Sequence, residues 1–170
     1  MPEPGIAKTR LAPFLSDEAA SDLYQSFLDD ALRIGDGICE LELWVPERPG
    51  AFTQLSLRYP SVTVRLQPEG SLGDKLMAAF EASFSEGIDC VLAVGSDHPT
   101  LPAEYLKQGF CALRLASAVL GPTDDGGYYA VGLKRQAWPK ASGLFLSAPW
   151  SPPTLLQWTR ECAIKLGLLY

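Results

Sequence analysis

Short apolar segments alternate along this chain with amphipathic stretches, and this alternation limits the folds open to it. Residues 62–66 and 91–94 are rich in β-branched and apolar side chains, whereas residues 72–84 carry apolar side chains at helical spacing. A helix between two strands is the connection that parallel strands require. The pattern therefore predicts an α/β fold, with a mainly parallel sheet and helices on both of its faces.

Local signals set several element boundaries. Ser16 precedes two acidic residues and predicts a helix start, and Gly35 predicts the end of that helix. Residues 39–45 alternate in polarity, as expected of a strand covered on one face. Other predicted strands cover residues 117–120 and 128–133, and other predicted helices lie around 52–55, over 102–113 and over 155–166. Residues 134–153, rich in Pro, Ser and Trp, are predicted to be irregular surface chain.

Composition narrows the class of protein. A chain of 170 residues with 47% hydrophobic content can bury one core, so residues 1–170 are predicted to form a single domain. A net charge of −6 argues against a nucleic-acid partner. Four widely spaced cysteines and a single histidine favour neither a zinc site nor a disulfide framework, which suits a reduced, cytoplasmic protein. We expect no membrane span, because no apolar run is long enough.

A basic loop near the start of the chain could bind phosphate. Gly5 permits a tight turn ahead of Lys8, Thr9 and Arg10, and the two cations can meet phosphate oxygens. The alternative is that Lys8 and Arg10 are solvated surface charges.

Asp97 is a second candidate, because it follows the apolar strand predicted at residues 91–94. Ligands of open α/β sheets collect beyond the carboxyl ends of the strands. A carboxylate in that position can hold a divalent cation whose charge is shared with phosphates. Its alternative role is a turn or cap residue before Pro99.

Two glycine-containing segments complete the set of candidates. Residues 70–73 open a helix whose backbone N–H groups can receive ligand oxygens. Asp124 and Asp125 precede Gly126, Gly127 and two tyrosines, so this cluster suits a cation or a proton-accepting role. A plain Asp-Gly turn is the alternative for the acids. Tyr128 and Tyr129 could stack on a ring of the substrate, and packing within a strand is their alternative role.

Taken in order, these segments resemble one family. The segments are residues 4–11, the helix through residues 23–30, residues 70–73, residues 95–101 and residues 121–129. The chain is similar to the bacterial GT-A-type transferases labelled selenodomain-associated transferase 1 or glycosyltransferase-like. The resemblance implies the nucleotide-diphospho-sugar transferase fold, a three-layer αβα sandwich. It also implies a nucleotide or nucleotide-sugar donor and a Mg²⁺ or Mn²⁺ ion.

The resemblance gives each matching residue a role. Gly5, Lys8, Thr9 and Arg10 match the phosphate-side loop, and Gly70, Leu72 and Gly73 match the segment that approaches the nucleotide. Asp97 falls at the metal-binding acid, in a motif similar to the Asp-x-Pro of molybdenum-cofactor guanylyltransferases. Asp125 matches a second catalytic or metal-binding acid. Gly126, Gly127 and Tyr128 are expected on the acceptor side.

One departure from the family pattern concerns the sheet. Relatives have an apolar first strand before the basic loop and a further strand after the last helix, so we expect a sheet that lacks its first strand.

Three functions stay open: glycosyl transfer, nucleotidyl transfer with release of pyrophosphate, and nucleotide binding without catalysis.

Overall fold

A computed structural model describes residues 14–151 and 153–170 of the chain. Its helices are α1 (Asp17–Gly35), α2 (Ala51–Arg58), α3 (Leu72–Ser85), α4 (Ala103–Leu115), α5 (Trp138–Ala141) and α6 (Leu155–Lys165). Its strands are β1 (Glu42–Val45), β2 (Thr63–Leu66), β3 (Cys90–Val94), β4 (Ala118–Pro122) and β5 (Tyr128–Lys134). Strands and helices alternate up to β4, as the sequence pattern predicts.

The chain divides into two compact units. The first unit contains the residues up to 66 together with 96–103, and the second contains 67–95 and 104–170. The expectation of a single domain stays a prediction.

In the first unit, β1 and β2 form a parallel pair with Trp44 opposite Arg65. The core lies on one face of this pair, and its buried members are Leu28, Val45, Leu55 and Val64. The other face carries a polar cluster in which the Trp44 indole donates to Glu42, 2.9 Å away, and Arg65 pairs with Glu42 at 3.3 Å. The alternation read from residues 39–45 is thus confirmed, although the strand itself begins at Glu42.

In the second unit, three strands form a sheet in the order β3-β5-β4. The central strand β5 runs antiparallel to both neighbours. A loop of five residues joins β4 to β5, and so short a connection can only produce an antiparallel hairpin. The strands β3 and β4, which α4 connects, run in the same direction on either side of β5.

The prediction of irregular surface chain over residues 134–153 is wrong. This segment contains α5 with a 3₁₀ turn on each side, and it contributes Ala141, Leu144 and Phe145 to the core of the second unit. Phe145 stacks on Phe80 of α3 at 5.4 Å between ring centroids. The other buried members of that core are Phe84, Ala118, Val131, Leu133, Ala163 and Leu168.

Helix ends follow the sequence signals closely. Ser16 caps α1 by accepting a hydrogen bond from the N–H of Ala19, 3.2 Å away. The last helix ends just before Gly167, as predicted. Among the residues that the structure describes, no helix is both long and apolar enough to cross a bilayer.

Candidate functional site

Asp97 lies in a turn that follows β3 and belongs to the first unit. Directly after Asp97, the N–H of Leu101 donates to the carbonyl of His98 at 3.1 Å, which closes a β-turn over residues 98–101 with Pro99 at its second position. The side chain of Asp97 is 51% exposed, and its Oδ1 lies 3.8 Å from Nε2 of His98. The carboxylate is therefore accessible to a ligand and has the histidine as a neighbour.

The turn is anchored to α1. The Tyr24 hydroxyl and the Ser96 hydroxyl lie within hydrogen-bond distance, 3.1 Å apart, and Ser96 immediately precedes Asp97. Sequence reasoning placed both residues in segments that carry the family resemblance but missed their contact, because they are 72 positions apart. The contact makes Tyr24 and Ser96 candidates for positioning the Asp97 carboxylate.

The helix that carries Tyr24 is itself tied to α2. Arg58 donates to Asp29 Oδ2 at 2.8 Å, the Tyr59 hydroxyl donates to Asp29 Oδ1, and Gln25 donates to the same oxygen at 3.3 Å. Partial burial acts to raise the pKa of Asp29, but the hydrogen bonds from Arg58 and Tyr59 outweigh it, so the pKa is lowered. Asp29 therefore stays ionised and holds the two helices together.

A cleft of about 320 Å³ lies beside the Asp97 turn, within the first unit. Its lining comes from α1 and from the turn, and consists of Asp30, Arg33, Ile34, Pro99, Thr100 and Leu101. Arg33 is paired with Asp30 at 2.9 Å. The cleft thus offers an ion pair and one hydroxyl-bearing residue next to the turn.

In the second unit, the predicted nucleotide segment forms the start of α3. Ser71 and Asp74 make a capping box, in which the N–H of Asp74 donates to the Ser71 hydroxyl and the N–H of Ser71 donates to Asp74. A Cβ on Gly73 would lie 2.6 Å from the carbonyl oxygen of Phe145, so this position must be small. Leu72 is exposed, and Gly70 directly precedes the cap.

Asp125 lies in the loop between β4 and β5 and organises it. Its Oδ1 accepts from the Thr123 hydroxyl at 2.6 Å and from the N–H of Gly127 at 3.0 Å. The loop also contacts the start of α6, since the Gly126 carbonyl accepts from the N–H of Leu156 at 2.9 Å. The Asp-Gly turn weighed as an alternative is therefore present, and it leaves the Asp125 side chain exposed.

Tyr128 follows the glycines and packs against the core of the second unit. Burial raises the pKa of Tyr128, and the nearby Thr159 hydroxyl opposes that rise. The Tyr128 side chain therefore packs in this unit, as the alternative interpretation predicts. Its role on the acceptor side stays a prediction.

The predicted site residues fall partly outside the described residues and are otherwise divided between the two units. Gly5, Lys8, Thr9 and Arg10 lie outside the described residues. Asp97 belongs to the first unit, whereas Gly70, Leu72, Gly73, Asp125, Gly126, Gly127 and Tyr128 belong to the second. Over residues 14–151 and 153–170, no group of three His, Cys, Asp or Glu side chains is placed to hold a metal ion.

The whole described chain is similar to a solved structure. That structure is a "putative nucleotide-diphospho-sugar transferase" from Desulfovibrio desulfuricans G20, which matches 99% of this chain with a TM-score of 0.91 and 28% sequence identity. The match covers 73% of the other protein's chain. It confirms the predicted α/β fold of the nucleotide-diphospho-sugar transferase type.

The sequence also matches a family profile over residues 32–152, described as "Uncharacterized protein conserved in bacteria (DUF2064)". This range includes Asp97, Asp125 and the glycines at 70 and 73. No curated protein matches the chain.

Proposed function

Since the chain belongs to the bacterial protein family DUF2064, and since its fold is that of a nucleotide-diphospho-sugar transferase, we propose that it is a glycosyltransferase-like enzyme. Its donor is a nucleotide-diphospho-sugar, and the reaction passes the sugar to an acceptor. The observation that carries the proposal is the structural match over 99% of the chain. The supporting local feature is an accessible carboxylate, that of Asp97, in the turn after β3.

The exposed carboxylate of Asp97 fits a divalent ion that is held by few protein ligands. Mg²⁺ keeps several waters and is commonly bound through one or two carboxylates together with substrate phosphates. A half-exposed Asp97 is compatible with this mode, and a set of three protein ligands is not required. A Mg²⁺ or Mn²⁺ ion bound there would supply positive charge to the diphosphate leaving group.

The remaining residues have separate roles in the proposal. Tyr24 and Ser96 hold the turn so that the Asp97 carboxylate stays in position. Lys8, Thr9 and Arg10 bind the diphosphate together with Gly5, and Gly70, Leu72 and Gly73 lie along the nucleotide. The loop of Asp125, Gly126 and Gly127 faces the acceptor with Tyr128, and a metal-binding role for Asp125 stays a prediction.

Nucleotidyl transfer is the second candidate. The sequence Asp97-His98-Pro99, which leads into the β-turn of residues 98–101, is similar to the Asp-x-Pro motif of molybdenum-cofactor guanylyltransferases. The two reactions differ in the bond that breaks. Attack at the sugar releases a nucleoside diphosphate, whereas attack at the α-phosphorus of a nucleoside triphosphate releases pyrophosphate.

Thermal stabilisation by donors tests the proposal. The protein is heated with UDP-, GDP- and dTDP-sugars, with and without Mn²⁺, and then with nucleoside triphosphates. We expect at least one nucleotide-sugar to raise the melting temperature, with a larger rise when Mn²⁺ is present. The product released from the stabilising ligand then separates glycosyl from nucleotidyl transfer.

The variant Asp97→Asn tests the assigned carboxylate. It keeps the size of the side chain but removes the charge, so we expect it to lose the increment that Mn²⁺ adds. Asp36→Asn is the matched control, because Asp36 is an exposed acid at the end of α1, in the same unit. If Asp97→Asn kept the full Mn²⁺ increment, Asp97 would not be the metal ligand.

A further inference from the structure

A β-bulge at the start of β5 displaces one tyrosine. Gly121 of β4 pairs with Ala130, and the next residue, Pro122, pairs with Tyr128. Tyr129 is thus the extra residue of the strand, and the register shifts there. Bulges re-aim side chains and are frequent beside functional sites.

The displaced ring of Tyr129 lies against Gly121. A Cβ at position 121 would lie 2.4 Å from Cζ of Tyr129 and 2.7 and 2.8 Å from the two flanking ring carbons. Because the two flanking carbons are only slightly farther away than Cζ, the missing Cβ would lie above the face of the ring and not at its edge. The flat side of Tyr129 is therefore supported by backbone, which only glycine at 121 allows.

Tyr105, in the first turn of α4, stacks with Tyr129. The ring centroids are 6.4 Å apart and the planes differ by 26°. Tyr105 is 48% exposed and Tyr129 is half-buried, so the pair is accessible from solvent. Partial burial raises the pKa of Tyr129, and the neighbouring Tyr105 adds to the rise, so this hydroxyl stays protonated at neutral pH.

The pair lies among the segments assigned to the proposed site in the second unit. The Tyr129 carbonyl accepts from the N–H of Gly95, 3.0 Å away, which places Tyr129 at the carboxyl end of β3. The strand end that carries Tyr128 and Tyr129 directly follows the Asp125 loop. The same loop begins after Pro122, the residue next to Gly121.

We propose that Tyr105 and Tyr129 form a stacking surface that receives the face of a ring in the acceptor. This inference rests on the proposed function, because it assigns the acceptor side to the Asp125 loop. The shared chemistry is a flat ring face, which either a pyranose or an aromatic group provides. Tyrosines supply such a surface through the faces of their rings.

Ligand-observed NMR with two small probes tests the surface. Methyl β-D-glucopyranoside presents a pyranose face and benzyl alcohol presents an aromatic face, so saturation transfer shows which ring is accepted. We expect at least one probe to bind the full chain and to bind about fivefold more weakly, or worse, to Tyr105→Leu. Tyr105→Phe keeps the ring, and binding should return close to that of the unaltered protein.

Matched variants separate binding from folding. Tyr170→Leu is the control, because it removes a tyrosine that is 43% exposed. Its neighbour Leu169 accepts hydrogen bonds at the start of β4, at the opposite end of that strand from Gly121. This variant should not change probe binding. Gly121→Ala displaces the Tyr129 ring while it keeps both tyrosines, so it should weaken binding as Tyr105→Leu does. Melting temperatures are recorded for each variant, and Tyr105→Leu, altered at a half-exposed position, should melt close to the unaltered protein.

The result of the NMR probe experiment does not depend on donor binding, because the sample contains neither nucleotide nor metal. If neither probe binds, or if Tyr105→Leu binds as the unaltered chain does, the stacking surface does not exist and the tyrosines only pack. A failure of the nucleotide-sugar to stabilise the protein, with probe binding intact, would instead count against the proposed function.

Discussion

At the scale of single residues, Asp29 shows how a half-buried acid is kept charged. Three side chains donate to it, from α1 itself, from α2 and from the residue that follows α2. Because its pKa is lowered in the folded state, its contribution to stability is fully present above its unfolded pKa of about 4. That contribution is lost as the pH falls through the lower folded value.

Asp29→Asn should therefore destabilise the protein in a pH-dependent way. We expect a loss of about 1–2 kcal/mol in the free energy of unfolding at pH 7, as for a hydrogen-bonded charge, and a smaller loss at pH 3. Urea unfolding at the two pH values measures both losses. Asp30→Asn is the control, since its pair with Arg33 is largely exposed and should contribute little. Equal losses at the two pH values would contradict the assignment.

Gly126 is the residue on which the geometry of the Asp125 loop depends. Its φ is +88°, and a Cβ there would lie 2.2 Å from the backbone oxygen of Pro153. A substitution would thus impose both a strained backbone conformation and a clash with main-chain atoms.

Gly126→Ala and Gly87→Ala separate these two costs. Gly87 has a φ of +92° but nothing within 4 Å of its missing Cβ, so alanine there should cost about 1–2 kcal/mol from the backbone alone. Gly126→Ala should lower the free energy of unfolding by about 2 kcal/mol more than Gly87→Ala, because the clash is with main-chain atoms, which cannot rotate away as a side chain can. Denaturant unfolding of both variants gives the difference. A similar loss for the two would mean that the loop shifts freely.

At the scale of elements, the segment between β5 and α6 carries more of the core than its composition indicates. Leu144 is 1% exposed and lies in the same cluster as Phe80 and Leu133. Leu146, only two positions further on, is 57% exposed. Burial here depends on the turn that α5 and its flanking 3₁₀ turns make, rather than on a repeating pattern.

Leu144→Ala should destabilise the protein by about 2–5 kcal/mol, because a fully packed side chain leaves a cavity. Leu146→Ala should cost less than about 1 kcal/mol, since the same atoms are removed from a largely solvated site. Both free energies of unfolding are measured by chemical denaturation. Equal effects at 144 and 146 would show that the segment is not held in the core.

At the scale of the whole molecule, the sequence predicts what depends on neighbours along the chain. The cap at Ser16, the helix start within residues 70–73, the helix end before Gly167 and the alternating strand at β1 are all local, and the structure contains them. The antiparallel placement of β5 and the bulge at Tyr129 depend on which strand pairs with which. Pairing is set by contacts distant in sequence, so local periodicity does not predict it.

The candidate site follows the same division. Asp97 and Asp125 are candidates from the sequence because they follow or precede apolar strands and lie near glycine or proline, and their roles stay predictions. Tyr24 and Ser96 lie in segments that the sequence singles out, but their contact with each other could not be predicted, and neither could the contact between Tyr105 and Tyr129, because each joins residues distant in sequence.

The contact between the Asp125 loop and the residues around the start of α6 has a practical consequence for protein engineering. The loop is held from the far end of the chain, through the bond from Leu156 to Gly126 and the close approach of Pro153. Deletions that remove Pro153 and Leu156 would take away both of these contacts and should loosen a loop that lies well upstream in the sequence. Engineered variants should therefore keep the residues around the start of α6 in place.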